Sequence, residues 1–496
     1  MRGVRGNATA TVVITLVTRN WPGYMVDREM VRKHLERLGS ALARVVLDAV
    51  AMRRAWLAAA LLGGCVPSRT ALFGPVQRDV ETRLGVGVSW IEDGRTTAGI
   101  DALLDKPIGL DAALRIALAR NRHLQAQFDE LGIAAGQIAE ATVLPPLSVD
   151  ADYKWSVSGH GTEVELTAVQ DVLDLLQLGQ RRGIANAELG GARARAVAAT
   201  VQLAAQVELA FYDLVAAVQE RELVQTAFEA ATASANLVER QHAAGNTSDL
   251  ALAREQEQRE RARIDVSRAD QQLVERRARL AARLGVGGAH AHWTTAGRLP
   301  EPPAGAPALD DLEQAALAAS LDLRALRAEA DAAAARHRYA TVRSFVAELG
   351  AGVALARRDG GAWEAGPAIR IGLPLFNQQQ GPRARARAEE HRANNELAAT
   401  TTDLRASAET TRSRVLQAFS EVRQLVDVVI PLRQRVLDET VLHYNAMDAS
   451  TFELLMARRE LVDVGRQYIE ALRRYWSAMA EVKALQRGGR AMKEAA

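Results

Sequence analysis

Apolar residues recur along this 496-residue chain with two different periods. Over 110–143, Leu110, Leu114, Ala117, Leu118, Leu124 and Phe128 fall three or four apart, which predicts one face of a helix that Pro145-Pro146 ends. The period then drops to two. Leu147, Val149, Ala151, Tyr153, Trp155 and Val157 alternate with Ser148, Asp150, Asp152, Lys154, Ser156 and Ser158, the pattern of a two-faced strand. Gly159-His160-Gly161 marks a turn, and Val164, Leu166, Ala168 and Val172 share one face of a weaker second strand. From 181 to 242 the spacing is helical and no proline occurs. At 1.5 Å per residue this predicts a helix of roughly 90 Å, a length that belongs to coiled coils and bundles. Gly245-Asn246-Thr247-Ser248 interrupts it, with Ser248 suited to N-cap a second helix over 249–284. Two long helices joined by a tight turn make a helical hairpin.

A Gly- and Pro-rich stretch, 285–308, reads as a linker, and after it the order recurs. With a shift of 199, Leu110, Asp111, Ala117, Leu118, Leu124 and Ala126 fall on Leu309, Asp310, Ala316, Leu317, Leu323 and Ala325. A strand follows with Phe345, Ala347, Leu349, Ala351, Val353 and Leu355 on one face. Asp359-Gly360-Gly361 turns it, and the returning strand carries Trp363, Ala365, Ile369, Ile371, Leu373 and Leu375. A second very long helix is expected over about 382–444, and a last one to about 485. Past the turns the shift grows to 204, which sets Ala253-Arg254 on Ala457-Arg458, Asp249 on Glu453 and Gly245 on Ala449. The fold class is therefore mainly α with a small β part, in two tandem repeats of helix, strand, strand, long helix and helix. Their bounds are 108–284 and 309–487, before a tail at 488–496.

Four strands cannot close a barrel alone, and an isolated hairpin is marginal in water. Their apolar and polar faces suit a wall with lipid on one side and water on the other. Several chains pooling strands would solve both problems. Barrels filled by side chains have about eight strands, and three chains would supply twelve. An ordinary soluble α+β protein remains the simpler alternative. Composition agrees with extended helices: aromatics are 4% and alanine is abundant. Net charge is +2, with Lys and Arg interleaved with Asp and Glu, so charge does not point to nucleic acid.

The chain has one cysteine, Cys65, which excludes a disulfide framework. It closes Leu61-Leu62-Gly63-Gly64-Cys65, behind Met52-Arg53-Arg54 and the apolar run 55–60. Two positive charges, a short apolar core and small residues before the cut are the parts of a secretory signal. With its Leu-Gly-Gly-Cys ending, 52–64 resembles a bacterial lipoprotein signal, in which Cys65 is lipidated. A buried cysteine in an apolar helix is the bland alternative. Because such signals begin a precursor, 1–51 is expected to be an upstream segment that is not translated. Residues 65–107, with Pro67, Pro75 and Pro107, read as an irregular N-terminal arm. After Cys65 no apolar run approaches the roughly 20 residues of a membrane-spanning helix.

The run 366–377, Gly-Pro-Ala-Ile-Arg-Ile-Gly-Leu-Pro-Leu-Phe-Asn, resembles the second-repeat strand of TolC-type outer-membrane efflux proteins. His443-Tyr444-Asn445-Ala446-Met447 with 452–460 resembles their second helical turn. Ala244-Gly245-Asn246-Thr247-Ser248-Asp249-Leu250 with Ala253-Arg254 resembles the first. The likeness covers roughly 108–487, and the lipid anchor is similar to the lipoprotein branch with metal- and drug-efflux members. This resemblance implies a homotrimer: a twelve-stranded β-barrel among outer-membrane lipids on an α-helical coiled-coil tunnel in the periplasm. It implies a passive exit duct for metal ions or small toxic compounds, served by an inner-membrane pump. It also implies docking to a periplasmic adaptor at the hairpin tips, Gly245, Asn246, Thr247 and Ser248 in one and Met447, Asp448, Ala449 and Ser450 in the other. Asp249 and Glu453 would form the acidic ring at the tunnel mouth, where three copies attract cations. Asp249 also has the plainer reading of a first-turn acid favoured by the helix dipole. Ala449 departs from the family, since alanine tolerates left-handed angles poorly.

No catalytic constellation, phosphate loop or cofactor motif is found. Gly285-Val286-Gly287-Gly288 follows a helix rather than a strand, so it is no dinucleotide site. His290-Ala291-His292 in the linker reads as solvated, and His443, Met447 and Met456 as packing or surface residues before soft-metal contacts. The alternative function is a periplasmic lipoprotein scaffold that conducts nothing. The signal assignment is checked by mass spectrometry of the precursor and the mature chain. No peptide should derive from 20–44, and the mature N-terminus should be a lipidated Cys65.

Overall fold

Leu178–Ala243, helix α6, organises everything around it. A computed structural model describes residues 67–91, 98–155, 162–287, 293–346, 348–359, 361–372 and 378–490, with 66–496 forming one unit. The elements are α1 (Arg69–Leu84), α2 (Ala98–Asp101), α3 (Leu110–Arg120), α4 (Arg122–Thr142), β1 (Ser148–Trp155), β2 (Thr162–Asp171), α5 (Val172–Leu176) and α6. They continue with α7 (Asp249–Leu284), α8 (Leu312–Ala319), α9 (Leu321–Arg343), β3 (Glu348–Arg358) and β4 (Glu364–Gly372). Last come α10 (Gln380–Gln424), α11 (Ile430–Asn445) and α12 (Thr451–Gln486). Cys65, the 52–64 signal and the 1–51 segment lie outside the described residues. So do His160, His290, His292, Gly360 and 373–377.

With 66 residues, α6 is roughly 100 Å long. Contrary to the sequence reading, it holds an 18-residue window of mean hydropathy 1.4, apolar enough to cross a membrane. Packing explains the composition: 67% of that window is buried, because α1, α3, α4, α7, α9 and α12 all lie against α6. Ala192, Ala194, Ala196, Val197, Ala205, Ala216 and Ala217 are buried around most of the helix circumference, and their small size allows neighbours to close in.

The second long helix runs from Gln380 to Asn445, the same length, and is interrupted by one π turn, Leu425–Val429. There the N–H of Ile430 reaches back five residues to Leu425. Pro431 follows, with no N–H to give and a ring that would clash with the carbonyl four residues earlier, and the wider turn accommodates it.

The four strands form one antiparallel sheet in the order β1-β2-β3-β4, with β2 paired to β3 across the two halves of the chain. The register places Val149, Ala151 and Tyr153 beside Val164, Leu166 and Ala168, then Leu355, Val353 and Ala351, then Ala365, Pro367, Ile369 and Ile371. This face is apolar and open: Ile369 is 73% exposed and Val149 64%. The opposite face carries charges that pair with one another. Arg370 reaches Asp150 at 3.0 Å and Glu348 at 3.5 Å, Arg358 reaches Glu163 at 3.0 Å, and Lys154 reaches Glu165 at 3.4 Å. Arg370 is on β4 and Asp150 on β1, so the sheet curls toward its polar side. Glycine makes room for the curl. A Cβ at Gly352 would lie 1.8 Å from the Ala168 carbonyl oxygen, and one at Gly350 2.6 Å from the Val169 side chain.

Three other expectations are corrected. The helix over 110–143 is two helices broken at Asn121, whose side chain accepts the Leu124 N–H and caps α4. Gly285, at φ +69, packs so tightly there that a Cβ would meet the Arg120 carbonyl at 2.8 Å. The N-terminal arm is not irregular: α1 buries Leu72, Phe73, Val76 and Val80 despite Pro75, which sits in its second turn. The linker is pinned as well. Ile108 and Thr295 form a parallel bridge, Trp293 is buried, and the Trp476 indole donates to the Pro300 carbonyl at 2.7 Å.

Phe128 is fully buried, edge-on to Phe73 with centroids 5.0 Å apart. Phe128→Ala should destabilise the protein by about 3–5 kcal/mol, while Ile133→Ala on the exposed flank stays within about 0.5 kcal/mol. Thermal unfolding of the two variants beside the parent protein checks both.

Candidate functional site at the hairpin tips

Each hairpin closes through one residue with a left-handed backbone. In the first, α6 ends at Ala243, Ala244 is near φ −87, ψ 3, and Gly245 stands at φ +73. The Asn246 N–H then donates to the Gln241 carbonyl at 2.8 Å, which satisfies the orphan end of α6. Ser248 follows as N-cap of α7, its hydroxyl accepting the Ala251 N–H at 3.3 Å. In the second, α11 ends at Asn445, Ala446 is near φ −79, ψ 0, and Met447 stands at φ +62. The Asp448 N–H donates to the His443 carbonyl at 2.9 Å, and Ser450 caps α12.

The two turns are therefore the same motif at a shift of 202, not 204. Gly245 corresponds to Met447, and Ser248 to Ser450. Ala449, aligned with Gly245 by the shift of 204, is not the left-handed residue of its turn. Asp249 is the first residue of α7, whereas Glu453 is the third of α12 and corresponds to Ala251. The serine caps fix this register, because both hydroxyls accept from the third helical N–H.

The two acids have different surroundings. Asp249 is 97% exposed and its Oδ1 lies 2.7 Å from His242 Nε2, across the turn. Glu453 belongs to a capping box: its Oε2 accepts from the Ser450 N–H at 2.7 Å and the Ser450 hydroxyl at 2.9 Å. The Ser450 N–H first, and its hydroxyl second, hold the Glu453 carboxyl below its ordinary range. Asp448 Oδ2 lies 2.8 Å from His443 Nδ1, so each tip carries one His–Asp pair. The Arg254 guanidinium of α7 lies over the Phe452 ring of α12 at 5.3 Å, which sets the two tips side by side. Exposed apolar residues surround them: Leu250, Leu442, Phe452 and Met447. Among the described residues no three His, Cys, Asp or Glu side chains converge as a metal site.

Sequence reasoning located both turns and their serine caps. It missed the left-handed Met447 and the His–Asp pairs. The helix lengths held the signal: a shift of 202 superposes both long helices and both return helices end to end.

Solved structures share this architecture. The outer membrane protein VceC from Vibrio cholerae superposes with a TM-score of 0.59 at 18% identity, covering 77% of this chain and 96% of its own. The Campylobacter jejuni CmeC outer membrane channel gives 0.60 at 14%, with coverage of 78% and 87%. The open-state MtrE outer membrane channel of Neisseria gonorrhoeae gives 0.56 at 19%, with 76% and 89%. The chain has the TolC-type fold. No protein-family profile and no curated protein sequence matches it. Within the TolC-type fold, the paired tips stand at the ends of the long helices remote from the sheet, about 66 residues of helix away.

The capping box gives a titration test. A carboxyl held low in the folded state stabilises above its unfolded pKa, and that stabilisation disappears as pH falls through the lowered folded value. Ser450→Ala should therefore raise the Glu453 pKa toward the ordinary ~4.3 of a free glutamate. Carboxyl NMR titration of selectively labelled protein reads the change. An unmoved midpoint would remove the hydroxyl as a cause and leave the Ser450 N–H, which alanine keeps.

Proposed function

We propose that this protein is the outer-membrane channel of a tripartite efflux system, a passive homotrimeric exit duct. One observation carries the reading: a curled sheet with an exposed apolar outer face, a charged inner face and two free edges. A single chain leaves β1 and β4 without outer partners, and a lipid layer does not tolerate such edges. Three chains joined edge to edge would close twelve strands, with apolar side chains toward lipid and ion pairs toward the water-filled interior. The solved channels of the same fold, CmeC and MtrE, support an outer-membrane place for it.

In this reading Cys65 carries the lipid anchor and the long hairpins extend into the periplasm. The tips, 243–250 and 446–453, dock a periplasmic adaptor that links the duct to an inner-membrane pump. Asp249 and Glu453 contribute acid at the tunnel mouth from two levels, the first and third positions of their helices, so they form a graded collar rather than one ring. Metal ions or small toxic compounds pass outward, driven by the pump, and the chain itself does no chemistry on them.

Ile369 is the sharpest test, since it is exposed in the single chain. Ile369→Arg should leave a water-soluble sheet within about 0.5 kcal/mol of the parent. On a lipid-facing barrel it should cost about 2–4 kcal/mol near the midplane. The expected result is loss of heat-modifiable trimers from the outer-membrane fraction. Wild-type levels of such trimers in the variant would exclude the barrel face, and release of the parent protein by high salt alone would exclude both anchor and barrel.

A further inference from the structure

The left-handed position of the second tip is the one place where that turn is built against its own backbone preference. Glycine occupies the equivalent place in the first tip at no steric penalty, at φ +73. Met447 adopts φ +62 with a Cβ that crowds the following carbonyl. Among the described residues no contact is seen to offset this. The side chain is 95% exposed, and the hydrogen bond from the Met447 N–H to the Tyr444 carbonyl, at 3.0 Å, would form equally well with glycine. Uncompensated strain of this kind gathers at binding sites, where the inference runs from the outlier to a function.

The surroundings say what kind of contact is involved. The polar groups of the turn are turned on one another: His443 on Asp448, and Ser450 on Glu453. Asn445 and the paired His443 and Asp448 stay exposed, and beside them Met447 projects, with the apolar Leu442, Phe452 and Met456 exposed as well. The first tip has a like exposed pair, His242 and Asp249, and an exposed Leu250, but its left-handed place is Gly245, which has no side chain. The two tips thus differ in what they project at that place.

We propose that Met447 is the specificity-determining anchor of the second tip, inserting its thioether side chain into an apolar socket on the periplasmic adaptor. Methionine suits this role, since its flexible, polarisable side chain moulds to an irregular pocket. The proposal rests on the reading of the tips as docking surfaces, and goes further by assigning apolar recognition to one tip and one residue.

Peroxide footprinting tests it without knowledge of the cargo. Conversion of Met447 to the sulfoxide is followed by mass spectrometry in the purified detergent-solubilised protein and in intact cells. An anchor should oxidise rapidly when purified and at least about five-fold more slowly in cells. Equal rates overturn the proposal. Slow oxidation in the purified protein also overturns it, since a second copy of the chain would then be the cover. Asn246→Cys on the first tip, labelled with a maleimide, reports docking itself. If Asn246→Cys is shielded in cells while Met447 is not, docking stands and the anchor fails; if neither is shielded, the docking reading fails. Met447→Gly should unfold at the same or a higher temperature, because glycine relieves the strain, yet abolish the shielding of Asn246→Cys. Met447→Leu should retain it. Shielding that survives Met447→Gly overturns the anchor.

Discussion

A backbone amide or carbonyl without a partner is tolerable in water and costs several kcal/mol in hydrocarbon. In the proposed barrel the sheet answers that constraint. Its two inner strands, β2 and β3, come from different halves of the chain and satisfy one another, so the free groups are collected at β1 and β4. One face of the sheet is apolar and the other ion-paired, the arrangement that the proposed barrel wall between lipid and water requires. The curl that brings Arg370 of β4 to Asp150 of β1 depends on Gly350 and Gly352, because side chains there would collide with β2. Curvature, polarity and edge pairing thus come from a small set of residues that sit close in the sheet.

The helices solve a different problem. A 66-residue helix has too little intrinsic preference to hold a straight course alone, and tertiary packing supplies the rest. Six neighbours pack on α6, and its middle, about 191–217, is buried or half-buried around nearly all of its circumference, Arg195 excepted. Toward the tip its neighbours thin out, and burial narrows to single residues such as Val224, Ala235 and Val238. Ion pairs take over between helices: Asp213 of α6 is met by both Arg276 of α7 and Arg473 of α12, and Glu220 by Arg466. The half-buried Arg473 guanidinium is held charged mainly by Glu470, with Asp213 adding to it.

Much of this was legible in the residues. The period-two runs located β1 to β4 to within about three residues, with Val172 falling in α5 instead, and the absence of proline located α6 and α7. Packing between distant segments was not legible. Asn121 and Ser320 look like ordinary helix residues until their side chains are seen capping the next helix. Pro75 looked like a breaker, but its helix is kept by the apolar contacts of Phe73 and Val76. At the tips, composition misled: alignment of like residues favoured a shift of 204, whereas the caps and helix ends demand 202. A left-handed methionine cannot be read from its letter, because the backbone angle is set by the hydrogen bonds around it.

The π turn at Leu425–Val429 has a consequence for symmetry. One extra residue in a turn rotates everything beyond it by about 100° about the helix axis. Before the turn, α10 buries Ala408, Val415, Ala418 and Val422; beyond it, α11 buries nothing and leaves Leu432 and Val436 half exposed. The α6–α7 hairpin has no such phase slip. Six hairpins in the proposed trimer would therefore approximate a sixfold ring near the sheet and become strictly threefold toward the tips. A partner arriving there would meet two alternating kinds of site rather than six equal ones.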